Sequence, residues 1–196
     1  TDLLENGKPA RLADIPPEQE KDWKALNLLT SKPVLYVCNV DEGSAATGNA
    51  FSEKVRAMAE EQNAGAIVIS AAIEEELAQL PDEERTEFLE SLGLREAGLD
   101  RLIKAGYDLL DLITYFTCGP KETRAWTVRR STKAPQAAGV IHTDFEKGFI
   151  RAEVIAYEDY IACGGEAGAK EAGKMRLEGK DYVVQDGDVM HFRFAT

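Results

Sequence analysis

The feature that most constrains the fold of this sequence is an apolar run that begins after Pro33 and stops at Asn39. Residues 33–42 read Pro-Val-Leu-Tyr-Val-Cys-Asn-Val-Asp-Glu. Such a run is typical of a strand buried on both faces, as in a parallel sheet covered by helices. Ligands of open α/β sheets bind outside the carboxyl ends of the strands, so the loop with Asn39, Asp41 and Glu42 is a candidate edge for reading a nucleobase. The alternative is a simple turn, since these residue types also favour turns.

A helix and a second strand follow. Residues 50–63 carry apolar side chains at helical spacing, with Thr47 or Asn49 as the cap, and Gly65 is expected to end the helix. The next apolar run, at 66–69, completes a βαβ unit, which is right-handed by default.

The second strand stops at the small residues Ser70, Ala71 and Ala72. Two neighbouring strand ends with small, hydrogen-bonding loops can form a slot for a flat base. In this interpretation the first loop holds the edge of the base, and the second closes over it through backbone amides.

Other helices are predicted around this unit. They comprise a helix after Pro17 that carries Trp23, Leu26 and Leu29, one or two turns at 74–80, a helix from Pro81 to Gly93, and an amphipathic helix at about 98–112. The acidic triplets at 74–76 and 82–84 are interpreted as helix N-terminal charges rather than catalytic carboxylates.

The pattern changes near Asp111, where a domain boundary is predicted. The following residues predict a hairpin (114–117 with 124–129), a short helix (135–142), a strand (149–157), a glycine-rich loop (164–173), and strands near 182–184 and 189–194 joined by the turn 185–188. Strands with one packed helix suit a small α+β roll.

Charge and cysteine content limit the classes of function. The net charge of −12 argues against general adhesion to nucleic acid or to an anionic membrane, so any RNA contact must be local. Cys38, Cys118 and Cys163 lie far apart, which suggests a reducing cytoplasm rather than a disulfide framework. No apolar run is long enough to span a bilayer.

His142 and His191 have no cysteine or histidine partner at ligand spacing, so no metal site is expected; His142 is interpreted as a helix cap. A local basic group lies among aromatic residues and is either solvated surface charge or an RNA contact. Its members are Arg124, Arg129, Arg130, Lys133 and Lys147, interleaved with Trp126 and Phe145.

Four stretches of this sequence resemble the YchF (Obg-like ATPase) family of P-loop proteins. They are residues 36–42, 115–127, 134–153 and 179–194. The resemblance implies an α/β fold, in which the C-terminal half of a GTPase-like parallel-sheet domain is followed by an α+β ubiquitin-like (β-grasp) TGS domain. It assigns residues 1–32 to the end of a helical insertion, 33–111 to the nucleotide-binding domain and 112–196 to the TGS domain.

The family binds ATP with Mg²⁺ through a G-x-x-x-x-G-K-[ST] loop, and this sequence contains no such loop. The chain alone is therefore expected to be inactive as an ATPase, with no catalytic residue and no bound cofactor. The resemblance implies a cytoplasmic protein whose partners are ATP and the ribosome or ribosomal RNA, and neither DNA nor a membrane.

The family resemblance also places a base-reading loop at residues 39–42. In the guanine-specific N-K-x-D loop the aspartate binds the guanine edge and the lysine packs over the base; here Val40 replaces the lysine and Glu42 the aspartate. Asn39 can still pair with N6 and N7 of adenine. The predicted adenine site comprises Asn39, Val40, Glu42, Ser70, Ala71 and Ala72. The rival interpretation is a non-enzymatic RNA-binding or adaptor module that uses the TGS domain alone.

Overall fold

The computed structural model describes residues 2–195, which divide into two compact units with a boundary between Leu110 and Asp111. The first unit contains α1 (Asp2–Glu5), α2 (Glu20–Ala25), β1 (Leu35–Asn39), α3 (Ala50–Glu61), β2 (Gly65–Ile69), α4 (Ala71–Gln79), α5 (Asp82–Ser91) and α6 (Gly98–Leu109). Short 3-10 helices lie at Ala10–Leu12, Pro17–Gln19, Leu29–Ser31 and Glu42–Ser44. No helix in the described range is long and apolar enough to cross a membrane.

Strands β1 and β2 pair in parallel, with Asn39 opposite Ile69, and α3 connects them. A Cβ on Gly48, just before α3, would lie 3.5 Å from Val68, whereas a Cβ on Gly98, at the start of α6, would lie 3.1 Å from Ile69. Because consecutive strand residues point to opposite faces, α3 and α6 cover opposite faces of the strand pair. The predicted βαβ unit is therefore present.

The expectation that the first strand is buried on both faces is wrong. Val37 is 43% exposed, and no residue of β1 is fully buried. Among the described residues β2 is the only strand paired with β1, so the other edge of β1 is unpaired there. The apolar face of α6 is likewise only partly covered, since Leu99 and Ile103 are both more than half exposed.

Helix α3 begins as predicted and ends differently. The Asn49 side chain accepts hydrogen bonds from the backbone N–H groups of Phe51 and Ser52, so Asn49 rather than Thr47 is the cap. Asn63, with φ of 50°, is the left-handed residue that follows the helix. Gly65 does not end α3, because it is already the first residue of β2.

The predicted loop at Ser70, Ala71 and Ala72 is the start of α4. Ser70 occupies the N-cap position, and the two alanines are the first residues of the helix. Alanine is the best helix former, so the helix begins three residues before the expected position 74.

The predicted helix with Trp23, Leu26 and Leu29 on one face is shorter than expected. Helix α2 ends at Ala25, and Asn27 adopts a φ of 47° that a right-handed helix does not accept. Leu26 is 60% and Leu29 81% exposed, so these leucines do not pack as a continuous apolar stripe.

The second unit forms a five-stranded mixed sheet with several helices. Its elements are β3 (Leu112–Cys118), β4 (Thr123–Arg129), α7 (Ala134–Ile141), α8 (Thr143–Lys147), β5 (Phe149–Ala156), α9 (Tyr157–Ala162), α10 (Glu166–Glu171), β6 (Arg176–Glu178) and β7 (Asp188–Phe194). The strand order is β4-β3-β7-β5-β6; β3 and β7 are parallel and the other pairs are antiparallel. A hairpin, a helix and a central last strand parallel to the first are the arrangement expected of a β-grasp domain.

Tyr115 lies at the centre of the core of this unit. Its side chain is fully buried, its ring makes an edge contact with Phe192, and its hydroxyl donates a hydrogen bond to the Ala137 carbonyl oxygen at 2.9 Å. Burial raises the pKa of Tyr115 above its usual range. The hydrogen bond joins the hairpin to α7 and satisfies a hydroxyl that has no access to water.

Three predictions for the second unit are wrong. The glycine-rich stretch 164–173 is not a loop but contains α10, and with α7, α8 and α9 the unit has four helices rather than one. Tyr182 to Val184 is not a strand; within it only Val183 forms an isolated bridge, to Lys133. Strand β6 was not predicted, because a three-residue strand carries too little periodicity to recognise.

Strand β5 contains a β-bulge. Its register shifts between Phe149 and Arg151, and beyond the shift Arg151 lies opposite Arg193 of β7. Ile150 is the extra residue and is 55% exposed. The bulge lets Phe149 and Ala152, which are three positions apart, both enter the core, although a regular strand would turn them to opposite faces.

Candidate nucleotide-base site and basic surface

The predicted base-reading side chain, Asn39, lies at the carboxyl end of β1 and bridges to the next strand end. Its Oδ1 accepts a hydrogen bond from the backbone N–H of Ala71 at 2.9 Å. The parallel register creates this contact, because it places Asn39 opposite Ile69, two residues before Ala71. Asn39 and the start of α4 are therefore brought together, as the base-slot hypothesis requires.

Ser70 lies beside this contact and is only 2% exposed. Its hydroxyl has no hydrogen-bond partner among the described residues, and it does not cap α4. A buried hydroxyl without a partner costs free energy. The sequence pointed to Ser70 only as part of a small-residue loop and gave no sign of its burial.

Glu42 begins the 3-10 helix after β1, and its side chain is exposed with no hydrogen bond or ion pair to the described residues. Asp41 does have a partner, since its Oδ1 accepts a hydrogen bond from the Ser44 hydroxyl at 2.9 Å. The two carboxylates therefore differ: Asp41 stabilises the turn, while Glu42 is free to contact a ligand.

A cleft of about 330 Å³ lies next to the end of β1. Its lining includes Asn39, Val40 and the exposed ring of Phe51 at the start of α3. The cleft places an amide, an aliphatic side chain and an aromatic ring on one surface, and such groups suit a flat heteroaromatic ligand. The predicted residue Ala72 is exposed in the first turn of α4.

The basic residues predicted to contact RNA do not form a single patch. Val128 is buried and Trp126 packs against the same core, so the alternation of β4 places Arg124 on the core side and Arg129 on the other face. Lys147 lies elsewhere, in α8, where with His142 and Phe145 it lines an open groove of about 820 Å³.

Three of these cations have acidic partners within the second unit. The ion pairs are Arg124 with Glu122 at 3.9 Å, Arg130 with Asp111 at 3.2 Å and Lys133 with Asp181 at 2.7 Å. Arg124 also lies 4.2 Å from the centre of the Trp126 ring, a cation–π contact. All these pairs are exposed, so each contributes little to stability. They do reduce the positive potential of the hairpin.

No cluster of three or more side chains that could hold a metal ion occurs among residues 2–195. The Nδ1 atom of His142 accepts a hydrogen bond from the backbone N–H of Asp144 at 3.2 Å. His142 therefore caps the start of α8 and ends α7 at the same time, a fuller role than the predicted cap at the end of one helix.

Comparison with known proteins gives a family. Residues 112–195 match the family YchF-GTPase_C, described as "Protein of unknown function (DUF933)". The chain is 59% identical over 195 residues to the ribosome-binding ATPase YchF of Bacillus subtilis. The matched residues make up 98% of this chain and 53% of that protein. Over nearly its whole length the chain is similar to part of the YchF proteins. A further relative, Obg-like ATPase 1 of Pongo abelii, is 46% identical over 183 residues, which make up 90% of this chain and 46% of that protein.

The chain spans about half the length of the curated YchF relatives that it matches, and it corresponds to their C-terminal portion. A solved structure of the Schizosaccharomyces pombe YchF GTPase superposes with a TM-score of 0.82 at 39% identity, over 97% of this chain and 51% of that one. A GTP-binding protein from Pyrococcus horikoshii, at 20% identity and a TM-score of 0.58, shares the fold. The mixed α/β fold class implied by the resemblance is thus confirmed.

Proposed function

We propose that this chain is the C-terminal part of a cytoplasmic protein that binds and hydrolyses ATP with Mg²⁺. In this proposal the first unit reads the adenine base and the second unit contacts the ribosome or its RNA. The names of its relatives, ribosome-binding ATPase and Obg-like ATPase, support the general activity. The phosphate loop would come from a segment outside this sequence.

The adenine assignment rests on the hydrogen bond between Asn39 and Ala71. It uses one lone pair of Oδ1, and the amide makes no hydrogen bond to the described residues through Nδ2, which leaves one acceptor and two donor positions for a ligand. That combination of acceptor and donors matches N6 and N7 of adenine. Glu42 is exposed and one methylene longer than aspartate, so in this proposal its carboxylate would be displaced from the edge of a guanine.

Nucleotide competition in the full-length protein tests this assignment. Asn39→Ala should weaken ATP binding, by roughly 1–3 kcal/mol if a bidentate base contact is lost. The double substitution Val40→Lys with Glu42→Asp should shift the preference toward GTP. Glu75→Asp, an exposed carboxylate on α4, is the matched control and should leave the ratio of affinities unchanged. An unaltered ATP-to-GTP ratio in the double variant would overturn the adenine assignment.

The chain by itself is proposed to be inactive. Base contacts alone leave the triphosphate unheld, because no backbone cradle or phosphate-binding lysine is present in the sequence. Magnesium-dependent ATP turnover by the purified chain would contradict this. The reading frame upstream decides between an ATPase and the rival adaptor: a G-x-x-x-x-G-K-[ST] motif there supports the ATPase, and its absence supports a non-enzymatic RNA-binding module.

The ribosome contact is proposed to lie in the second unit. Replacing Arg129, Arg130 and Lys133 with glutamate should weaken co-sedimentation with ribosomes and flatten its salt dependence, since fewer phosphate counterions would be released. The ATPase rate of the full-length protein should stay nearly unchanged. Co-sedimentation equal to wild type across a salt series would remove the hairpin from the contact surface.

A further inference from the structure

Two arginines of the second unit face each other across neighbouring strands. Arg151 of β5 lies directly opposite Arg193 of β7 in the antiparallel ladder. Side chains in such a pair leave the same face of the sheet with their Cβ atoms about 4.5–5.5 Å apart. Both arginines are exposed, and like charges in this position repel each other.

The repulsion is only partly offset within the unit. Arg193 Nη2 is 3.1 Å from Oε2 and 3.4 Å from Oε1 of Glu153, on the same strand as Arg151. The side chain of Arg151 has no hydrogen bond or ion pair with any residue in the described range. The Arg151 guanidinium is therefore not neutralised, whereas that of Arg193 has Glu153 as its acidic partner.

The position of the two arginines favours a ligand-binding site over solvated surface charge. Both arginines extend from paired strands, so their backbones are held in place, in contrast to Arg130 and Lys133, which lie beyond the end of β4 and already have acidic partners. The β-bulge at Ile150 sets the register that brings Arg151 opposite Arg193. Paired guanidinium groups match the oxygens of a phosphate diester better than point charges do.

We propose that Arg151 and Arg193, both exposed, bind backbone phosphate of RNA on the face of the five-stranded sheet opposite the core that contains Tyr115. This inference rests on the proposed RNA contact of the second unit and moves its centre from the β3–β4 hairpin to the β5–β7 strand pair. The chain is strongly acidic as a whole, so such a contact must come from a local site. The sequence alone does not connect the two residues, because only the register of β5 and β7 places them side by side.

Fluorescence anisotropy of the chain with a 5′-labelled uridine 12-mer, measured over a salt series, tests the proposal. Arg151→Ala with Arg193→Ala should lower affinity at least fivefold and reduce the slope of log K against log salt by about 1.4, at 0.7 for each phosphate of a single strand. The control, Lys170→Ala with Lys174→Ala, makes the same change in net charge within the same unit and should leave the slope unchanged.

Further variants separate the outcomes. Arg151→Lys with Arg193→Lys should keep most of the slope and lose part of the affinity, and Glu153→Gln should raise affinity because it frees Arg193. Suppose that wild type binds RNA, that replacing Arg129, Arg130 and Lys133 with glutamate abolishes binding, and that Arg151→Ala with Arg193→Ala does not. The arginine pair is then excluded as the RNA contact, while the proposed RNA contact of the second unit stands. Absence of binding by wild type refutes both. The proposal would also be overturned if the lysine control reduced the slope of log K against log salt. It would likewise be overturned if poly-glutamate displaced the RNA from the chain.

Discussion

Glu74, in α4, holds the N-terminus of α6: its Oε1 accepts a hydrogen bond from the backbone N–H of Gly98 at 2.7 Å, and its Oε2 accepts one from Leu99 at 3.2 Å. The carboxylate thus acts as a cap supplied from a distant helix, satisfying two donors that α6 cannot satisfy itself. The acidic residues at 74–76 were predicted to serve a helix terminus. Glu74 lies in the first turn of its own helix, α4, and in addition serves the terminus of α6.

Glu74→Ala should lower the free energy of unfolding of the first unit by about 1–2 kcal/mol, since two helix N–H groups lose their acceptor and a favourable charge. Glu74→Gln keeps an acceptor and should lose less. Urea unfolding followed by circular dichroism, with Glu75→Ala as the exposed neighbour control, measures the difference. Equal stability of the Glu74 and Glu75 alanine variants would contradict the capping role.

Tyr115→Phe should destabilise the second unit by about 0.5–1.5 kcal/mol, because only the hydrogen bond to Ala137 is lost. Tyr115→Ala should cost about 3–5 kcal/mol, since it also leaves a cavity at the centre of the core. Chemical denaturation of both variants gives the two values. A loss for Tyr115→Phe as large as for Tyr115→Ala would mean that the hydroxyl, not the ring, dominates.

Asp188 should make stability depend on pH in an unusual direction. Burial raises its pKa above the ordinary 3.8, although the Tyr182 hydroxyl and the Gln185 N–H both donate to the carboxylate and oppose the shift. The folded state therefore prefers the protonated acid. Its stabilising contribution is complete below pH 3.8 and is lost as the pH rises through the raised pKa.

Comparison with Asp188→Asn, which cannot ionise, isolates this effect. In the pH range just above 3.8 the unfolding free energy of wild type should fall relative to that of the variant. Asp181 gives a control of opposite sign, because hydrogen bonding to Lys133 lowers its pKa. The unfolding free energy of wild type should therefore rise relative to that of Asp181→Asn as the pH rises through that lowered pKa toward 3.8. Parallel curves for wild type and Asp188→Asn would contradict the expected shift.

Gly168→Ala should destabilise the second unit by about 1–3 kcal/mol, the usual cost of overpacking. A Cβ at this position of α10 would lie 2.0 Å from the carbonyl oxygen of Cys163, a backbone atom that cannot turn away. Gly179→Ala is the control, since its Cβ would meet nothing within 4 Å. Thermal unfolding of both variants measures the difference. Equal midpoint temperatures for Gly168→Ala and Gly179→Ala would show that α10 can shift without loss of stability.

The parts of the fold that the sequence predicted are those with a clear period and clear ends. The βαβ unit follows from two apolar runs separated by a helix that Asn49 caps, and the β3–β4 hairpin follows from alternation around residues 119–122. The asparagines at 27 and 63, which end helices by adopting positive φ, were overlooked, because asparagine takes that conformation only in some contexts.

The helices α9 and α10 were missed for another reason. Helix α9 starts at Tyr157, immediately after β5, with no breaking residue between them. Helix α10 holds a glycine in its interior because Cys163 lies against it, so a residue that normally opposes a helix is here required by packing. Sequence patterns record local preference, whereas these elements depend on what they contact.

The candidate site was only partly predictable for the same reason. Asn39 could be recognised from its place after an apolar run, but its contact with Ala71 depends on the β1–β2 register. The buried, unpartnered hydroxyl of Ser70 and the Arg151–Arg193 pair likewise depend on three-dimensional neighbours. The composition of a loop indicates which groups are present. It does not show which of these groups already have a hydrogen-bond partner within the protein.

The Asn39–Ala71 hydrogen bond also has a mechanical consequence. Helix α4 is held at its first residue by Asn39, and one turn later its Glu74 holds the start of α6. The strand-end loop, α4 and α6 are thus connected in series by two side-chain contacts at the same end of α4. Loss of either contact would break this connection between the strand-end loop and α6.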